Sequence, residues 1–408
     1  MLGETKKTWF FDGVEYDFRS FVHPGWDGIV EALQGAEVKD VVVQYHPDIA
    51  RVKKSMAKYE ATATTTTTTT LTIPTTLLAL PEDHMTSSGL HRELQELLFN
   101  ALGKNRENWK WPLGDFLCFL ALGLYALGYS SWRIHSGLHV PWWFAVNVLS
   151  SIVFANRIVH EASHRTLPKL WKLGFLNDAM VGLLVSVSSP HSCWLFDHIV
   201  LHHGRTNLRG YDVDAIPSTT TKSWSAWGSF GAPIFYTTTQ GIFASGAVPG
   251  TAPPRLSTRL LDAVLLATAT GLSVWFLGLF VTLALAISKA FVFSFVGQVS
   301  HLQPEVLREG SPSLNYDSER NYLDKWVRNQ AATTVNFSTQ SDVAWWLSFG
   351  LSHQIEHHVL PAVSHYHYRA LSPEVRRIFA KYNVPYIEKS FWRASMDCLT
   401  LMLPSPKR

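Results

Sequence analysis

Charge is scarce in this chain of 408 residues: 16% are Asp, Glu, Lys or Arg, against roughly 25% in ordinary soluble domains. A wholly water-soluble architecture does not fit that composition. The net charge of +3 gives no basic stripe able to neutralise a run of phosphates, which excludes nucleic acid as a partner class. Cysteine is nearly absent as well. Cys118, Cys193 and Cys398 lie far apart with no CxxC pair, so neither a disulfide framework nor a thiolate metal site is encoded. The opening residues, MLGETKKTWFFDG, lack an apolar core of signal-peptide length, and their lysines favour a cytosolic first segment.

What the chain does have is apolar residues (47%), aromatics (13%) and 18 histidines. The apolar residues are concentrated. Residues 112–132 and 141–160 are each long enough to cross a hydrocarbon core of about 30 Å, with Trp142 and Trp143 at interfacial depth. Residues 260–301 are too long for one crossing and suit a hairpin of two, 260–279 and 281–301. The expected fold is mostly α: a four-span integral membrane helical domain with histidine-bearing helices on its cytosolic side. Shorter apolar stretches, 173–189 and 343–351, read as interfacial or re-entrant helices. Residues 160–259 and 301–408, and both termini, then share the cytosolic side. The low-complexity run ATATTTTTTTLTIPTT at 61–76 cannot build a core. It places a Thr-rich linker at 59–88, between a small α+β unit at 1–58 and the large domain at 89–408.

Histidines gather in three places. His160 and His164 stand at i and i+4 in HEASH, on one helical face at the cytosolic end of the second span. His198, His202 and His203 fall in HIVLHHGRTN, and His353, His357 and His358 in HQIEHH, with His301 at the end of the fourth span. Imidazole suits iron, copper, zinc and nickel alike, so spacing does not identify the ion. The number of candidate ligands exceeds what one four-coordinate ion uses, which implies two metals. A transporter's proton relay would place ionisable groups within the spans, whereas these lie at or beyond span ends. His84, His91, His135, His139, His191, His365 and His367 are expected to be surface or interfacial.

These boxes, with YDVDA (211–215), QVSHL (298–302), WVRNQAATTVNF (326–337) and HQIEHHVLP (353–361), resemble the membrane fatty-acid desaturase family over residues 110–390. The QxxHH form of the last box resembles the front-end branch, which inserts a double bond between the carboxyl end and an existing double bond. The resemblance implies two non-haem iron ions that activate O2. By motif, their ligands are His160, His164, His198, His202, His203, His301, His357 and His358, with Gln354 at the substituted position and His353 as the one-residue alternative. It also implies an acyl-lipid or acyl-CoA substrate threaded between the spans. Arg205, Thr206, Asn207, Asp212, Asp214, Trp326, Gln330, Thr333 and Asn336 are candidates to hydrogen-bond the imidazoles or the substrate headgroup, and Glu161 and Glu356 to orient ligands. The HxxxHH spacing of the second box departs from the family's usual HxxHH and turns His198 by about 100° on a regular helix. A π-bulge would bring His198 and His203, at i and i+5, back towards one face.

In residues 9–47, His23 (in His23-Pro24-Gly25) and His46 (in His46-Pro47) could clamp a haem between their rings, with Phe21, Val30, Leu33 and Val42 lining it. The segment resembles cytochrome b5, with Trp26 at the second glycine of the family's HPGG loop. That resemblance implies haem b bound axially by His23 and His46, electrons supplied by an NADH-cytochrome b5 reductase, and an endoplasmic-reticulum location, with a plastid as the alternative. The competing readings are a sphingolipid-base desaturase or lipid hydroxylase with the same di-iron centre, and a membrane-anchored haem electron carrier with an inert desaturase-like domain.

Overall fold

The computed structural model describes residues 8–21, 23, 30, 33, 38–46, 49–61, 89–168, 198–199, 202–204, 206–207, 212, 256–306 and 322–402. The 173–189 stretch, the linker residues 62–88, Trp26, Arg205 and Asp214 lie outside them.

The N-terminal segment begins with strands β1 (Trp9–Phe11) and β2 (Val14–Tyr16), paired antiparallel with Trp9 opposite Tyr16. Asp12 and Gly13 connect them, both with positive φ (55° and 76°), as a two-residue hairpin turn requires. Helices α1 (Lys39–Tyr45) and α2 (Ile49–Met56) follow. Trp9, Phe11, Leu33, Val41, Val43 and Ile49 are buried.

Helix α3 (Leu90–Leu102) is amphipathic, burying Leu90, Leu94 and Leu98 at helical spacing. Its first N–H groups have no partner inside the helix. The Asp324 carboxylate accepts from Leu90 N–H (3.3 Å) and His91 N–H (2.8 Å). Gly89, at φ 82°, permits this approach, since a Cβ there would meet Asp324 Oδ2 at 2.7 Å.

Among the described residues, two helices are long and apolar enough to cross a membrane. Helix α4 (Leu113–His135) starts after Pro112, whose missing N–H costs nothing at a helix start. Helix α5 (Val140–Ser163) has Pro141 in its first turn and a π-helical stretch at Ser151–Asn156. The pair is tied by polar side chains: Asn147 Nδ2 donates to Ser130 Oγ (2.9 Å) and Ser131 Oγ (3.0 Å). They also cross closely at Gly123, where a Cβ would meet Phe154 Cβ at 2.7 Å. Helices α6 (Leu256–Leu277) and α7 (Leu279–His301) break at Gly278. They expose Val264, Leu272, Trp275, Phe280 and Ile287. At the far end, His135 Nδ1 donates to the Phe276 carbonyl at 2.6 Å, bringing the ends of α4 and α6 together.

The C-terminal part comprises α8 (Tyr322–Ala332), β3 (Asn336–Phe337), α9 (Asp342–Leu347), α10 (Gln354–Val359), α11 (His365–Lys381), β4 (Glu388–Lys389) and α12 (Phe391–Met402). Strands β3 and β4 pair parallel. One apolar cluster joins Leu94 of α3, Leu323 and Val327 of α8, Ile355 of α10 and Tyr368, Val375 and Phe379 of α11 to Phe11, Val41 and Val43 of the N-terminal segment. Within the 343–351 stretch, α9 leaves Val343, Trp346 and Leu347 exposed.

Candidate metal centre

Helix ends bring the histidine boxes together. α5 delivers His160 and His164, α7 ends on His301, and α10 carries Gln354, His357 and His358. All of these, with His198, His202 and His203, are buried. The second box is π-helical at His198, Ile199 and His202, and His203 N–H donates to the His198 carbonyl at 3.1 Å. That i to i+5 bond widens the turn and brings the His198 and His203 rings to 4.8 Å, centroid to centroid.

Among the described residues, three groups of imidazoles present nitrogens within 4.8 Å of one another: His160, His164, His198 and His357; His202, His301 and His358; and His203, His357 and His358. His164 Nε2 lies 3.0 Å from His198 Nε2, and His203 Nε2 lies 3.0 Å from His357 Nε2. Metal–nitrogen bonds of about 2.1 Å set at a right angle leave their nitrogens about 3 Å apart, so these spacings fit ligands of a shared ion. Burial, followed by the mutual repulsion of the neighbouring rings, holds His198, His203, His357 and His358 well below the ordinary histidine range. Neutral imidazole is the form that binds metal.

Outer partners fix the tautomers. His202 Nδ1 donates to Asp212 Oδ1 (3.1 Å), His301 Nδ1 to the Thr333 carbonyl (3.0 Å) and His358 Nδ1 to Gln330 Oε1 (2.8 Å). With the proton on Nδ1, each ring keeps its lone pair on Nε2. Gln330 Nε2 in turn donates to the His203 carbonyl (2.9 Å) and Thr206 Oγ1 to Gln330 Oε1 (3.1 Å). Asn207 N–H donates to Asp212 Oδ2 at 2.6 Å. Among the described residues, His160 has no hydrogen-bond partner at either ring nitrogen, and neither do His203 Nδ1, His358 Nε2 or Gln354 Oε1. Buried polar atoms left this way are costly, and metal ions between the rings would satisfy those that face them, one nitrogen per ring. The residues present fit such ions.

Gln354 Nε2 donates to His301 Nε2 at 2.9 Å. His353 Nδ1 pairs instead with Ser352 Oγ at 3.1 Å. Among the described residues, neither glutamate hydrogen-bonds a ligand ring. Glu161 Oε1 accepts from Ser364 Oγ and from His365 N–H, both at 2.9 Å. Glu356 accepts from Asn336 Nδ2 (2.8 Å) and Tyr386 OH (2.6 Å), and Asn336 Oδ1 accepts from Ile355 N–H (2.7 Å), which seats α10 on β3. Trp326 is buried in α8.

Two groups of the site, His365 and Arg157, and one residue outside it, His91, depart from the sequence expectation. His365, expected at the surface, is buried, with Nε2 3.3 Å from His357 Nδ1. His91 is buried too. Arg157, one turn before His160, is fully buried with its guanidinium 4.5 Å from the Trp111 ring and 4.0 Å from the Trp345 ring. The only sequence signal for His365 is its place shortly after the last box. For Arg157 it is a charge inside an apolar span.

Residues 137–390 match the profile described as Fatty acid desaturase. The chain belongs to the fatty acid desaturase family. It is a membrane-associated oxidoreductase, a fatty acyl desaturase. Among curated relatives, a probable Delta(5) fatty acid desaturase C from Dictyostelium discoideum is 24% identical over 94% of this chain and 88% of its own length. An acyl-lipid (8-3)-desaturase from Physcomitrium patens is 23% identical over 94% of this desaturase and 84% of its own length. A Delta(8)-fatty-acid desaturase from Helianthus annuus is 36% identical, over 19% of this chain and 16% of its own. Relatives named for these positions are consistent with a front-end type.

Proposed function

We propose that this desaturase is an O2-dependent front-end enzyme that places a cis double bond in an unsaturated acyl chain, fed with electrons by its own N-terminal haem unit. The observation that carries the reading is the convergence of the three histidine boxes, through π-helical turns and fixed tautomers, into adjoining groups of imidazole nitrogens. His160, His164, His198, His202, His203, His301, His357 and His358, with Gln354, would hold two iron ions. Those ions supply oxygen activation: adjacent methylenes, O2, two electrons and two protons give an alkene and two waters. The chain's own residues keep the imidazoles neutral, hold their outer nitrogens on Asp212, Thr333 and Gln330, and exclude water by burial.

Four spans are the reading for α4, α5, α6 and α7. It is supported by two helical hairpins whose far ends meet at His135 and Phe276 and by the apolar side chains that α6 and α7 expose. Both termini and the metal centre would then lie on the cytosolic side, in the endoplasmic reticulum.

For the cytochrome b5-like unit at 1–58, the supporting geometry is His23 and His46. Their rings stand 5.8 Å apart at 87°. His46 Nδ1 donates to the Val42 carbonyl at 3.1 Å, which leaves Nε2 as its lone-pair nitrogen. Burial holds His46 down to about 4, so it is neutral, as an axial ligand of haem b must be. The linker at 59–88 tethers this donor to the catalytic domain at 89–408 and raises its effective concentration, with an NADH-cytochrome b5 reductase refilling it.

Yeast expressing the chain and fed a panel of polyunsaturated acids tests the function, with double bonds located by mass spectrometry of derivatives and His357→Ala as control. A new double bond on the carboxyl side of an existing one, absent in the control, is the expected result. Hydroxylated acids, altered sphingoid bases, or no product despite bound haem would each overturn it in favour of a hydroxylase, a sphingolipid-base desaturase or a bare electron carrier.

A further inference from the structure

The N-terminal unit touches the metal centre directly. Tyr45 is the last residue of α1 and the immediate neighbour of His46. Its hydroxyl lies 2.9 Å from His164 Nδ1, and the two rings lie 6.3 Å apart at 27°. His164 Nε2 is the nitrogen that meets His198 Nε2 at 3.0 Å. Tyr45 therefore meets the outer nitrogen of a candidate iron ligand whose ring also hydrogen-bonds the Pro361 backbone, a place comparable to that of Asp212 on His202 and Gln330 on His358. The difference is that Tyr45 comes from the unit carrying His23 and His46.

The contact is part of a packed interface. The Arg106 guanidinium donates to the Tyr45 carbonyl, and Lys39 Nζ sits 4.2 Å from the centre of the Tyr322 ring. Phe11, Val41 and Val43 share one apolar cluster with Leu94, Leu323 and Tyr368 of the catalytic domain. A donor that swings on its tether and collides with the enzyme would not need such packing.

We propose that Tyr45 is a positioning residue that docks the N-terminal unit on the metal centre and couples the two sites through the His46–Tyr45–His164 connection. This rests on the haem and di-iron reading above. With both groups bound, each transfer would oxidise one ferrous haem to ferric and reduce one ferric ion of the centre to ferrous. The Tyr45 hydroxyl keeps its proton and only shares a hydrogen bond with His164. Two such transfers serve one turnover, and an external flavin reductase drawing on reduced pyridine nucleotide restores the haem.

The test uses the full-length purified protein and Tyr45→Phe, which removes the hydroxyl and keeps the ring. Haem and iron contents are measured first, by absorbance and elemental analysis. The haem is then reduced without oxygen by a stoichiometric amount of dithionite, and its reoxidation by the ferric centre is followed by absorbance at several protein concentrations. In the wild type the rate is expected to be first-order and independent of concentration. In Tyr45→Phe, with haem and iron contents and haem potential unchanged, it is expected to fall about tenfold to a hundredfold, the range for losing an outer partner of a metal ligand. Arg106→Ala, outside the bridge, is expected to slow it by loosening the docking and to leave the haem spectrum as it was. A Tyr45→Phe rate equal to wild type, or a wild-type rate that rises with protein concentration, would overturn the proposal alone. A wild-type protein lacking haem or iron would overturn the functional reading and the proposal together.

Discussion

Gln354 and His301, 53 positions apart, meet side chain to side chain at 2.9 Å, with the Gln354 amide nitrogen donating to His301 Nε2. An amide can present its oxygen instead by turning about its last bond, so this contact supports the His301 ring now and can offer a neutral oxygen to an ion there. Gln354→Ala removes both possibilities. We expect product formation to fall about tenfold to a hundredfold, while the fold, judged by thermal unfolding, stays near wild type. Activity unchanged within error would place Gln354 outside the working site.

Glu161 ties α5 to the start of α11, whose His365 contacts His357. Replacing the buried carboxyl group by an amide, in Glu161→Gln, should cost about 1–3 kcal/mol of stability and retain iron. His357→Ala, by contrast, removes a nitrogen that belongs to two of the imidazole groups and should abolish product. Equal activity losses in the two variants, with iron retained in Glu161→Gln, would show that the carboxylate takes a direct part.

Gly350 has φ 92°, and a Cβ there would sit 2.8 Å from the Cβ of His365. Gly350→Ala combines a left-handed backbone strain of about 1–3 kcal/mol with displacement of His365 from His357. A fall in melting temperature together with weaker iron retention during dialysis is expected. An unchanged melting temperature would contradict the close packing of Gly350 on His365.

His91 is buried at the start of α3, and burial lowers it from 6.5 to about 4. The unfolded chain therefore takes up this proton before the folded one does. The stability owed to the neutral ring is fully present above about pH 6.5 and is lost as pH falls towards about 4, by at most on the order of 3 kcal/mol. His91→Phe removes the titration, so its melting temperature should fall less than that of wild type over that interval. Parallel curves for the two proteins would rule out a neutral, buried His91.

How much of this was legible in advance depends on how far apart the interacting residues lie in the chain. HEASH, HIVLHHGRTN and HQIEHH are local patterns, and their ligand-type side chains could be named because a metal selects residue types. Pro112 and Pro141 with the apolar runs after them gave the positions of α4 and α5, because helix length against membrane thickness is a one-dimensional constraint. The HxxxHH spacing called for a π-turn, and the bond that answers it is local as well: His203 N–H to the His198 carbonyl.

The sequence by itself determined the chemistry available: many neutral nitrogens, few charges, apolar spans and a candidate haem pair. Only the tertiary structure decided which nitrogen faces inward. That depends on partners from distant segments, such as Thr333 on His301, Gln330 on His358 and Tyr45 on His164. The contact of Gln354 with His301 likewise depends on the packing of α10 on Asn336 and α7. His365 and Arg157 belong to the same class. Burial of a polar side chain is set by what folds over it, and the local signals, His365 shortly after the last box and Arg157 inside an apolar span, do not record what that is.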